Sequence, residues 1–432
     1  MKKLLGLLLT LALLLSMAAA SVSALAETPV MPEEPVTLNI MGGAHLTSVA
    51  EVVLKDYLAA HPNVTVNFEK YSYAEYPTKM RVQLSSGESV PDIMIVHDVF
   101  VRQFIDAGWL MDLTPMVPAG DVLPIMGTAT VDSKIFGVPN QATLAYVFMY
   151  RKDIYDQLGL TPPTTYDEYF EQALKLKENG YYAGAFLPSS PTETFMWYIN
   201  MLGGSVFDEG GNPTLDKGVE AIQLIQKGLE AGIFHPSPQA SSEGDYWPAF
   251  NEGKIAAFPA VCSQAAYYEN NVDPAGKGGY GQLRIAPAMK FTPDGPATYI
   301  HNTEYYVINA NTKHPEAAKA LVAYLALSEE ACLKFSNVNE NGIMAKYTTA
   351  YIPGINKVIE AGTEPWKAFG DQQVVTEFAR ILLDASPKVV YKDARFSEAE
   401  AIIGEVLGEL FVNNAYTPED AVAEIIKRIN EI

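Results

Sequence analysis

Residues 91–100 read PDIMIVHDVF, and those ten residues decide the fold. Ile93 to Val96 is an unbroken apolar run. Such a run marks a strand covered on both faces, because a strand with one wet face alternates. His97 and Asp98 follow at once, and Val101, Phe104 and Ile105 then recur at helical spacing before Gly108-Trp109. A doubly covered strand running straight into a helix is the unit of an α/β sheet, and such sheets bind ligands beyond the carboxyl ends of their strands.

Working outward, the same unit repeats upstream. Residues 37–41 read as a strand ending in Gly42-Gly43, and Thr47 or Ser48 is placed to cap a helix carrying Val49, Val52, Val53, Tyr57 and Leu58. His61-Pro62 stops that helix, Val64, Val66 and Phe68 alternate as a strand, and Tyr76, Met80 and Leu84 mark a helix closed by Gly87. Downstream, a second α/β region runs over 146–287, with helices expected at 165–179 and 215–231. A loop-rich stretch covers 273–295. A strand at 305–309 precedes a helix at 315–327, and two amphipathic helices, 397–412 and 418–429, end the chain.

The first 26 residues read as a leader. Lys2 and Lys3, the apolar run 4–15 and Ala24-Leu25-Ala26 form the charged start, core and small-residue cleavage pattern of a secretory signal. The apolar core is shorter than the ~20 residues a membrane helix needs. No cysteine follows it, so no lipid attachment point is expected, and the protein is expected free in a periplasm or outside the cell. The remaining 406 of 432 residues exceed what one core of ~250–300 residues supports, so two domains are expected. The formal charge is −21, and −23 without the two leader lysines. That balance argues against nucleic acid, whose phosphates need a basic surface. Cys262 and Cys332 sit among apolar and small residues and read as buried thiols; neither has a partner at metal-site spacing.

Five stretches together resemble a known family: PDIMIVHDVFVRQFIDAGWLMDLT (91–114), IFGVPNQATLAYVFMYRKDIYDQLGL (135–160), YWPAFNEGKIAAFPA (246–260), EYYVINANTKHPEAAKALVAYL (304–325) and residues 385–425 from ASPKVVYKDARF onward. In this order they resemble the family 1 extracellular solute-binding proteins of ABC transporters, which are maltose-binding-protein-like. The resemblance implies a two-lobed type II periplasmic-binding-protein fold. Each lobe would be a mostly parallel sheet flanked by helices, with a hinge between. It implies an N-lobe of 36–142 plus 302–350 and a C-lobe of 143–301 plus 351–432. It also implies a monomer that closes on a small molecule, most simply a sugar, and hands it to the permease's transmembrane subunits, with no cofactor.

Sugar recognition asks for Asp, Glu, Asn or Arg against hydroxyls and aromatic faces against the ring. Asp98, just past the buried strand, is the leading polar candidate; its competing reading is a helix cap. Gly43 and His45 follow the first strand, where small residues admit a ligand to the backbone or simply make a turn. Trp197, and the pair Tyr246 and Trp247, are aromatic candidates; His301 and Asn302 precede a strand that the resemblance brings past the cleft. Tyr391, Arg395 and Phe396 are further candidates, Phe396 standing where relatives have a sugar-stacking tryptophan. That departure, with Val96 in place of an aromatic, leaves malto-oligosaccharides without specific support. Other solutes remain open: a polyamine, a peptide, or a metal ion through Tyr267-Tyr268, although Tyr181-Tyr182 and Tyr305-Tyr306 show that such pairs recur by chance here. A sensory role shares the same fold. An enzyme is not expected, because no G-x-S-x-G, H-E-x-x-H or Walker loop occurs and Asp98 lacks a nearby second carboxylate for glycoside hydrolysis.

Overall fold

The computed structural model describes residues 26, 28–237, 246–340, 343–344, 348–385 and 388–432. The expected leader lies outside the described residues apart from Ala26. Among the described residues twelve strands form in chain order: β1 (Val36–Gly43), β2 (Val64–Tyr71), β3 (Ile93–His97), β4 (Thr130–Val131), β5 (Lys134–Ile135), β6 (Val138–Arg151), β7 (Ala257–Val261), β8 (Leu283–Pro287), β9 (Tyr299–Ile308), β10 (Asn339–Glu340), β11 (Ile343–Met344) and β12 (Lys388–Val389).

The main sheet runs β2-β1-β3-β9-β6-β7, with β8 also on β6 and β12 on β9. The strands β2, β1 and β3 are parallel, as the alternation of strands and helices implies. Two long strands join the halves. β9 pairs with β3 over Glu304–Ile308 and with β6 further back, and β6 continues to β7 and β8. The β6–β9 ladder shifts register between residues 139 and 145, beside the boundary expected at 142. In the second half the crossing strand β6 runs against the strands beside it. There β7 and β8 pair antiparallel to β6, and parallel contacts such as Tyr182 with Ile255 are single bridges. The cause is β6 itself, which enters the second half from the first and runs against that half's own strands.

Every residue of β3 is buried, as its unbroken apolar run requires. Ile93 and Ile95 pack with Val49, Val53 and Leu54 of the helix Ala44–Ala60. Met94 and Val96 face Tyr76, Met80 and Phe104 on the opposite side. Each such side chain contributes about 1.5–3 kcal/mol by leaving water. The helix after β1 starts at Ala44, earlier than the cap expected at Thr47 or Ser48. Gly42 permits this, because a Cβ there would lie 2.9 Å from both Ile95 Cβ and Thr47 Oγ1. Helix Ile352–Ala361 packs on Glu329–Ser336 and places Ile355 and Val358 in the first-half core. Helix Val374–Ala385 is shared: Ala379 and Leu382 join that core, while Phe378 and Ile381 join a second-half cluster.

Candidate functional site

Strand β3 ends at His97, and Asp98 opens the helix Asp98–Asp106, where a carboxylate suits the positive end of the helix dipole. Asp98 does not cap the helix; the N-cap position belongs to His97. The Asp98 carboxylate is 6% exposed and accepts from three groups. Lys392 Nζ and His97 Nδ1 each stand 2.9 Å from Oδ1, and the backbone N–H of Thr303, on β9, lies 3.2 Å from Oδ2. His97 Nδ1 also lies 3.2 Å from the Val99 N–H, and one ring nitrogen cannot both donate and accept. The shorter contact to a charged oxygen takes the proton. Burial alone would raise the Asp98 pKa, but Lys392 and His97 offset it and hold the carboxyl at about 2. A carboxylate has about four acceptor positions, so three partners leave one, on Oδ2.

Lys392 is 3% exposed and also donates to Asn302 Oδ1 at 2.7 Å. Two residues along β9 from Asn302, Glu304 sits opposite His97 in the ladder and is 9% exposed. Its Oε2 and the neighbouring Thr303 Oγ1 are buried without a hydrogen-bond partner among the described residues. Burial, with the negative charge of Asp98 adding to it, pushes the Glu304 pKa up to about 8, so the group carries a proton at neutral pH. Glu400, on helix Phe396–Asn413 of the second half, is also raised, by burial first and by Asp98, with Lys392 opposing.

Tyr73 lies over this polar floor. Its ring packs edge-on against His97 at 5.6 Å and Tyr76 at 5.5 Å, yet is 56% exposed. Its hydroxyl is nonetheless closely surrounded: burial raises the pKa well above the usual phenol value, with Glu304 and Asp98 of the first half and Glu400 of the second contributing. Tyr73 thus keeps an exposed ring against His97, with Asp98, Glu304 and Glu400 near enough for their charges to raise its hydroxyl pKa.

On the other side, helix Thr192–Met201 carries Trp197, which lines a small cavity with Tyr146, Glu193, Phe258 and Gln264. The Trp197 Nε1–H is buried and unpartnered among the described residues. Tyr146 leans on Trp197 at 6.1 Å and stacks on Tyr299 at 5.7 Å. Tyr299 in turn lies close enough to Asp98 for that charge to raise its pKa, after burial.

Other candidates fall elsewhere. Tyr246 is corrected from cleft to core: it is buried, and its hydroxyl meets that of Tyr268 at 2.7 Å. Trp247 is half-buried, edge-on to Tyr268 at 5.1 Å. Phe396 is fully buried beside Phe207, so it presents no stacking face. Arg395 is spent on Asp393 at 2.7 Å and on the Gly211 carbonyl at 2.6 Å. The Tyr391 hydroxyl meets Arg102 Nη1 at 3.3 Å. Gly43 precedes the first turn of helix Ala44–Ala60, which holds the half-buried His45. His301 lies on β9, and its side chain lies outside the described residues. Sequence reasoning missed Lys392, Glu304 and Glu400. A glutamate in an otherwise apolar strand, as in EYYVI, was the available signal, since such residues are seldom buried unless paired. Among the described residues no three His, Cys, Asp or Glu converge as metal ligands, and no helix is long and apolar enough to cross a membrane.

A family model described as bacterial extracellular solute-binding protein matches residues 43–331. The chain belongs to that family. This solute-binding protein is 26% identical over 322 residues to an uncharacterized ABC transporter extracellular-binding protein of Pyrococcus horikoshii, covering 69% of this chain and 72% of that one. It is 24% identical over 352 residues to the arabinooligosaccharide-binding protein of Bacillus subtilis, covering 78% and 79%. Among solved structures, the sugar-binding protein MalE of Xanthomonas citri superposes with a TM-score of 0.75 at 16% identity, over 92% of this chain and 97% of that one. The solute-binding protein thus has the two-lobed type II fold, and β6 and β9 are its crossing strands.

Proposed function

We propose that this protein is exported and binds a neutral oligosaccharide between its two lobes, delivering it to the transmembrane subunits of an ABC importer without chemically altering it. The observation that carries the reading is Tyr73: an exposed aromatic ring packed on His97, which itself holds Asp98 at 2.9 Å and faces Glu304 across the ladder. Sugars expose apolar ring faces and hydroxyls, and an aromatic face beside carboxyl groups answers both. Glu304, proton-bearing at neutral pH, can donate to a hydroxyl oxygen, the free position on Asp98 Oδ2 can accept from one, and the Trp197 Nε1–H offers a further donor. The names of the Bacillus subtilis relative and the Xanthomonas citri structure support a carbohydrate over other solutes. The residue 1–26 leader reading supports export.

The test is Tyr73→Ala measured against the parent chain in thermal-shift titrations with oligosaccharides, where bound ligand raises the unfolding temperature by mass action. The variant should fold normally, because its ring is half in water, and bind about fivefold more weakly, an aromatic contact being worth roughly 1 kcal/mol. Unchanged affinity removes Tyr73 from the site.

A further inference from the structure

We propose that the first half carries a second saccharide site, at the end of its sheet away from Asp98. Strand β3 separates the two places. Asp92 stands one residue before that strand and Asp98 one residue after it, and six steps of extended chain put them roughly 20 Å apart. The second site therefore lies outside the cleft and does not depend on it.

A polar row crosses the sheet at this end. Asn39 on β1 is the register partner of Asn67 on β2. The Asp92 N–H donates to the Asn39 carbonyl at 3.0 Å, and the Asp92 carbonyl accepts from the Asn309 N–H at 3.0 Å. Asn67, Asn39, Asp92 and Asn309 thus stand side by side across four neighbouring strands. Most of their side-chain capacity is spent on one another. Asn67 Nδ2 donates to Asn39 Oδ1 at 3.0 Å. Asp92 Oδ2 accepts from the backbone N–H and the Nδ2 of Asn39, at 2.9 and 3.4 Å, and Asp92 Oδ1 accepts from the Thr312 hydroxyl at 2.5 Å. Asn309 Oδ1 accepts from the Asn311 N–H at 2.9 Å.

Two groups are left over, one acceptor and one donor. A carboxylate has about four acceptor positions, so three bonds leave one on Asp92 Oδ1. Asn309 is 7% exposed, yet its Nδ2 has no partner among the described residues. Both residues line a cavity of about 410 Å³, within the ~300–1,000 Å³ of small-molecule sites. Trp109 forms another side. Its half-buried ring leans on Phe104 at 5.7 Å, and its indole N–H is unpartnered among the described residues. Adjacent strands set Asp92 and Asn309 about 4.8 Å apart, a spread that the hydroxyls of a single sugar ring cover. An acceptor and a donor at that spacing, beside an indole face, fit a neutral saccharide. Asp92 repels an anion. It is also the one carboxylate among the described residues lining the cavity, and Lys313 lines it too, so a metal ion is poorly served.

The experiment labels the chain's four tryptophans with 5-fluorotryptophan and follows their fluorine resonances. Trp109→Phe identifies the Trp109 signal. Xylose, arabinose, glucose, xylobiose and maltose are titrated in turn. The Trp109 signal should move saturably with at least one of them, at a midpoint that Tyr73→Ala leaves within about twofold. Asn309→Ser keeps an oxygen for the Asn311 N–H and withdraws the amide donor. It should raise the Trp109 midpoint about fivefold and leave any titration of the Trp197 signal unchanged. A Trp109 signal unmoved by every sugar overturns the site. So does one that tracks Trp197 at a single midpoint and weakens with Tyr73→Ala, or one indifferent to Asn309→Ser. Should Asn309→Ser fail to fold, the parent and Tyr73→Ala titrations still decide. A cleft that binds no sugar leaves the Trp109 signal to be read alone, so the two failures are distinct.

Discussion

Replacing Glu304 by glutamine keeps the shape of a buried side chain and removes its proton equilibrium. In the folded protein the carboxyl titrates at about 8, against an ordinary value of 4.5. Between those values the unfolded chain gives up the proton and the folded one keeps it, so the slope of stability against pH is negative, at roughly 1.4 kcal/mol per pH unit. The stability available from burying Glu304 neutral is fully present below 4.5 and is lost as pH rises through about 8. At pH 7 the span is 2.5 pH units from 4.5, which makes the loss about 3 kcal/mol. The side chain is 9% exposed, so solvent screening removes little of this. Glutamine does not titrate. The variant should match the parent within ~1 kcal/mol at pH 5 and exceed it by ~3–4 kcal/mol at pH 7.5. Urea unfolding at half-unit steps from pH 5 to pH 8.5 measures the difference. A gap between parent and variant that does not change with pH refutes the reasoning, because it shows Glu304 ionising as it would in water.

Asp98 runs the other way. Its folded pKa of about 2 lies below the ordinary 3.8, so its contribution is present above 3.8 and is lost as pH falls through about 2. Asp98→Ala should cost about 3–5 kcal/mol by stranding the Lys392 charge, as well as weakening ligand binding; a fully stable variant counts against the ion pair. Both thiols should resist a thiol reagent in the native protein and react after denaturation, since each is buried and burial pushes Cys262 up to about 12; fast native labelling contradicts their placement. Ile95→Ala, at the centre of β3, should cost about 2–5 kcal/mol in thermal or urea unfolding; a loss under ~1 kcal/mol counts against a tightly packed core there.

Local pattern and long-range contact were unequally legible. The apolar run of β3 and the helical spacing at 418–429 depend on neighbours a few positions away, and both elements form where the spacing places them. The start of helix Ala44–Ala60 was not legible, because it depends on Gly42 fitting between Ile95 and Thr47, and Ile95 is half a domain away. Asp98 was found from its place after β3. Its partner was not: Lys392 lies 294 residues on, in a loop where a lysine reads as solvated. Tyr246 and Phe396 looked like cleft aromatics because sequence shows residue type and not facing; Tyr268 and Phe207 claim them for the interior. Tyr73 is the converse, an aromatic left in water by the same packing.

The central claim is that two halves of this chain close on an intact carbohydrate. Isothermal titration of the purified protein with arabino-, xylo- and malto-oligosaccharides, followed by chromatography of the recovered sugar, tests it most directly. The account predicts saturable one-to-one binding of at least one series, with the sugar recovered whole. No saturable heat from any series, or shortened products in the recovered sugar, contradicts it.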